Sequence, residues 1–133
     1  MFIELTTNNL EGFLNSQAWK NFYNNEIKNY EEKTEQEEVL NAIGVLKKYP
    51  NEKNLKKLIN TIYELIYANN YVYWQEIIKQ DWKRDNNSKK IYATNYCKLE
   101  DKENNLYILF EEDTNSDTYD SDIFFTNLFF KAD

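Results

Sequence analysis

The chain has 133 residues, the common size of one domain, and two Gly and one Pro rule out fibrous or linker-like classes. Eight Phe, eleven Tyr and three Trp argue against disorder, no apolar run approaches the roughly 20 residues of a membrane span, and one cysteine forbids an internal disulfide. With no histidine, the usual general base near neutral pH and the commonest zinc ligand are both missing from a chain of net charge −7.

Met1 to Leu5 reads as a short strand. From Leu10 the apolar residues fall at helical spacing (Phe13, Leu14, Ala18, Phe22, Ile27), with Asn8 or Asn9 as cap, predicting a helix within 10–30. Thr34 and Glu37 fit a capping box opening a helix over 35–48, with Leu40 and Ile43 on its apolar face and Pro50 marking its end. Leu55, Leu58, Ile59, Ile62 and Ile66 predict a helix over 53–68. Trp74, Ile77, Ile78 and Trp82 on one side predict another over 71–84, although Tyr71-Val72-Tyr73-Trp74 also suits an extended chain.

After a polar break at 85–90 the period becomes two. Strands are expected near 90–99 and 105–111, the first with Tyr92 and Tyr96 on one face and Cys97 on the other as a small core residue. Glu111 to Asp122, acidic and rich in Ser, Thr and Asn, reads as an exposed loop before a third strand near 123–130, for which a short helix is the alternative. Helices first and strands second predict a single α+β domain over 1–133, three or four helices packed on a small antiparallel sheet of about three strands. The expected core is Phe13, Leu14, Phe22, Leu40, Ile43, Leu58, Ile62, Ile66, Ile78, Leu109, Phe125 and Phe129.

The charge is unevenly placed. From Glu100 to Asp133 there are ten acids against Lys102 and Lys131, a local −8, whereas the first 99 residues sum to +1. Arg84 is the only arginine, so base readout and bidentate phosphate clamping are poorly served, and the net field repels nucleic acid. The serines lack a nucleophile elbow, and the two glycines are isolated within helical patterns, where they build no phosphate loop. Asp113, Asn115 and Asp117 copy the first, third and fifth positions of an EF-hand, but Thr118 and Phe124 stand where Gly and Glu are required. No metal, cofactor or catalytic residue is therefore expected.

What remains is a binding surface. Glu111, Glu112, Asp113, Asp117, Asp120 and Asp122 put six negative charges into twelve residues without a cation, with Tyr119 among them as an aromatic anchor. A solvated loop that guards neighbouring strands is the plain alternative. The tyrosine-bearing sheet face of Tyr92, Tyr96 and Tyr107 is the second candidate contact. In size, charge and absence of catalytic groups the chain resembles the immunity proteins that bacteria pair with toxic effectors, nuclease toxins above all; no motif carries the likeness. It implies a cytoplasmic, non-catalytic inhibitor whose partner is a basic toxin or nuclease domain, with no direct contact to nucleic acid or membrane. A phage-encoded nucleic-acid mimic, an adaptor or scaffold domain, and a carboxylate-dependent enzyme are the other readings.

Overall fold

The computed structural model describes residues 1–28, 33–69, 74–84, 91–115 and 121–133. The chain opens with strand β1 (Phe2–Glu4), then α1 (Leu10–Asn15), α2 (Gln17–Phe22) and a π-helical turn at Tyr23–Ile27. Helices α3 (Lys33–Lys48) and α4 (Glu52–Asn69) follow. Strands β2 (Trp74–Arg84), β3 (Ile91–Asp101), β4 (Leu106–Asn115) and β5 (Ser121–Lys131) complete it. The architecture is α+β, but the antiparallel sheet has five strands rather than about three, in the order β1-β5-β4-β3-β2.

The long first helix expected over 10–30 is broken at Ser16. Its backbone is extended (φ −71°, ψ 152°), its hydroxyl donates to the Phe13 carbonyl at 2.6 Å, and its oxygen accepts from the Trp19 N–H. Serine thus ends one helix and caps the next, the local competition that disfavours it in helix interiors. Asn9 precedes α1 without capping it by side chain. Instead it accepts from the Thr6 N–H and donates to the Glu4 carbonyl, tying β1 to the helix start. Thr34 lies one residue inside α3 rather than ahead of it. Asn51 caps α4, its side-chain oxygen 2.9 Å from the Asn54 N–H.

From Trp74 onward the segment expected as a fourth helix is β2, residues 71–73 lying outside the described residues, and a bulge explains why its spacing misleads. The ladder to β3 pairs Ile77 with Cys97 but Lys79 with Tyr96, leaving Ile78 as an extra residue. Ile77 and Trp82, five apart, would face opposite ways in an unbroken strand. The bulge brings both to the side of Cys97 and Ala93, and one inserted residue turns period two into spacing that passes for helical.

The helices cover one face of the sheet. Phe13, Phe22, Ile27, Val39, Leu58, Ile62 and Ile66 pack with Cys97, Leu99, Leu106, Ile108, Phe110, Leu128 and Phe130 in one buried cluster. Cys97 is therefore the core residue expected of it. Two assigned core residues are not in the core: Leu40 is 47% exposed and Ile78 58%. Leu40 lies on the solvent side of α3, and Ile78 is the bulge residue on a strand beyond the helical layer. Leu14, Leu109 and Phe129 are only half-buried, and the Phe125 side chain lies outside the described residues.

A buried polar knot fixes the β3–β4 turn. Asn104 is fully buried; its side chain donates to Asp101 at 2.8 Å and accepts from Asn25, and its N–H also donates to Asp101. Asn105 adopts φ 60°, a left-handed conformation that asparagine tolerates better than most residues.

Candidate functional site

The described parts of the acidic segment are strand, not loop. Strand β4 carries on to Asn115 and β5 resumes at Ser121, so Glu111, Glu112 and Asp113 are strand residues, and so is Asp122. Polar composition hid them, because pairing on both sides of β4 outweighs the low strand propensity of acids. Asp113 stands directly opposite Asp122 in the β4–β5 register, and Glu112 opposite Ile123. Asp117, Tyr119 and Asp120 lie outside the described residues.

Alternation splits the acids between faces. Glu111 pairs with Tyr96, and Asp113 with Thr94, on the face away from the helices; Glu112 pairs with Asn95 on the helix side. All three are half-buried. The Thr94 hydroxyl donates to Asp113 at 2.8 Å and orients that carboxylate. This end of the sheet extends beyond the core, whose last members on β3 and β4 in that direction are Cys97 and Phe110.

Tyr96 and Tyr107 share the face opposite the helices, as expected, and Tyr92 occupies a β3 position of the same parity, opposite Asn115; its side chain lies outside the described residues. Tyr96 and Tyr107 do not share one patch. Tyr107 stands opposite Glu100, four β3 positions from Tyr96, and belongs to a separate aromatic group. Its ring stacks on Phe129 at 4.7 Å between centroids and meets Phe2 at 5.0 Å. Lys98 lies over that ring at 4.5 Å and Lys79 over Tyr96 at 5.5 Å. Burial, and secondarily the Glu100 charge, raise the Tyr107 phenol above its usual range, so it is neutral at physiological pH. The middle of this face thus carries cations beside its tyrosines, with Lys79 near Asp81 and Lys98 near Glu100. No charged partner among the described residues lies within ion-pair reach of Glu111, Glu112 or Asp113.

No group of three or more His, Cys, Asp or Glu side chains among the described residues is placed to hold a metal. The groove between α3 and α4, lined by Glu38, Asn41, Val45, Asn54, Lys57 and Thr61, presents one carboxylate rather than a facing pair. Among the described residues no helix is long and apolar enough to cross a membrane. The apolar exposure along β2, at Ile77, Ile78 and Trp82, escapes the sequence pattern because a helix reading gathers those residues on one side, with Ile78 in the core.

Compared with known proteins, the chain matches no family model, and neither a curated protein nor a solved structure is significantly similar to it.

Proposed function

We propose that this protein is a non-catalytic inhibitor that binds a basic protein partner, acting in the cytoplasm as an immunity protein against a toxin of nuclease type. The observation that carries the reading is the β4–β5 hairpin end, where Asp113 stands directly opposite Asp122 and follows Glu111 and Glu112 on β4, with Asp117, Tyr119 and Asp120 in the sequence between the two strands. Like charges directly opposite on a ladder weaken a sheet, so the Asp113–Asp122 pair, with Glu111 and Glu112 beside it, costs stability that a cationic partner offsets. A nuclease cleft is basic because it binds phosphates. An acidic hairpin is steered into it at rates above the ordinary 10⁵–10⁶ M⁻¹s⁻¹, and Tyr119 supplies an aromatic anchor once there. The tyrosine face of Tyr92, Tyr96 and Tyr107 is the second contact region.

The test is capture of the partner from cells of the source organism with the intact chain immobilised. The captured protein is then expressed alone and together with this one. The reading expects a basic protein whose expression stops growth and whose effect co-expression removes. A captured partner that is acidic, or harmless when expressed alone, contradicts it.

A further inference from the structure

Strand β2 is an edge of the sheet, and among the described residues β3 is its only neighbour. It runs for eleven residues and exposes large apolar side chains: Ile77 is 54% exposed, Ile78 58% and Trp82 64%. Long edges bearing exposed apolar groups pair with other strands unless something blocks them. The opposite edge, β1, has only three residues.

The chemistry of β2 selects its occupant. Around Gln80 the sequence reads Ile78-Lys79-Gln80-Asp81-Trp82, which is complementary to itself when reversed. We propose that two copies of this chain join β2 to β2, antiparallel about a twofold axis at Gln80, making one continuous sheet with five strands from each copy. Lys79 of each copy then faces Asp81 of the other, and Ile78 faces Trp82, each pair occurring twice. Within one copy Lys79 and Asp81 already lie 3.5 Å apart, Lys79 largely solvated and Asp81 half-buried, so the seam assembles four alternating charges. Moving the axis to Asp81 would set Asp81 against itself and Lys79 against Lys83. Moving it to Lys79 would set that lysine against itself and Ile77 against Asp81.

Gln80 is held away from the seam by its own copy. Its amide donates to Asn95 at 2.7 Å, and its oxygen accepts from the Trp82 indole at 3.1 Å, leaving the backbone edge for the partner strand. The bulge at Ile78 ends the regular ladder, so the seam is short and the dimer weak and concentration-dependent. The seam lies two strands from β4 and leaves both acidic hairpin ends open, at opposite ends of the joined sheet.

Sedimentation of the intact chain from about 1 μM to about 1 mM tests the proposal. The wild-type mass should rise with concentration from 16.1 kDa towards its double. Lys79→Asp and Asp81→Lys should each raise the dimer dissociation constant about tenfold or more, since each turns two attractive pairs repulsive. Combining both substitutions restores opposite charges across the seam and should return the constant to within about threefold of wild type. Circular dichroism confirms that each variant is folded. Gln80→Cys should also cross-link efficiently on oxidation, because residue 80 meets its own copy across the axis and Cys97 is buried. A wild-type chain that stays monomeric throughout, a double variant no better than the singles, or cross-linking at Trp82→Cys instead of Gln80→Cys overturns it. Monomers whose edge variants lose a separate protein partner would also overturn it, assigning β2 to that partner.

Discussion

The hydroxyl of Thr94 donates to the Asp113 carboxylate at 2.8 Å, across a directly paired position of β3 and β4. This bond orients the acid at the root of the hairpin end on the face away from the helices. Thr94→Val keeps shape and strand propensity but removes the donor, and should cost about 1 kcal/mol in a denaturant midpoint series. An unchanged midpoint would show that solvent satisfies Asp113 equally well.

The core makes a sharper stability prediction. Ile62 is fully buried between helix and sheet, and Ile62→Ala should cost about 2–5 kcal/mol. Leu40→Ala, on the solvent side of α3, should change stability by less than about 0.5 kcal/mol. Equal losses for the two would place the buried face of α3 wrongly.

These contrasts show what was legible in the residues. Leu58, Ile62 and Ile66 repeat on one face of a long helix, so α4 and its inward face could be read directly. The alternation of Tyr96, Cys97 and Lys98 likewise marked β3. The β2 strand was hidden by one bulge residue, which shifts the phase of an alternating pattern and leaves apolar residues at helical intervals. The break at Ser16 is not legible because an uninterrupted apolar period spans it, although its side chain can stop a helix locally. At the candidate site the acids were plain and their setting was not. Composition argues for a loop at Glu111–Asp113, whereas cross-strand pairing, which no single segment reveals, makes them strand.

The β3–β4 turn should be sensitive where it looks merely polar. Asn104→Ala removes the side-chain amide that donates to the buried Asp101 carboxylate and accepts from Asn25, keeping only the backbone N–H bond, and should cost about 1–3 kcal/mol by thermal or chemical unfolding. Asn105→Ala should cost about 1–2 kcal/mol through its left-handed backbone, and Asn105→Gly should be well tolerated. A harmless Asn104→Ala would mean that water replaces the knot.

Glu26, beside this knot, is raised above its ordinary value of 4.5, first by burial and then by the charge of Asp101; Glu103 adds to this, and the Asn104 hydrogen bond opposes it. A carboxyl that holds its proton more tightly when folded stabilises the fold fully below its unfolded pKa, and loses that contribution as pH rises through the folded one. Glu26→Gln keeps an oxygen for Asn104 and cannot ionise, so its stability relative to wild type should increase from about pH 4 to about pH 7. Parallel stability curves for the two proteins would remove Glu26 from the pH response.

The central claim is that the acidic hairpin end meets a basic partner, and association kinetics test it most directly. Once the partner is captured, stopped-flow association is measured for wild type and for the triple variant Asp117→Asn, Asp120→Asn, Asp122→Asn, at low and physiological salt. The Debye length falls from about 30 Å to about 8 Å between those conditions. Wild-type association should slow markedly with salt. The triple variant should associate more slowly than wild type at low salt and lose much of the salt dependence, while dissociation changes less. A triple variant that associates as fast as wild type at low salt would contradict the account and move the contact to the sheet face of Tyr92, Tyr96 and Tyr107.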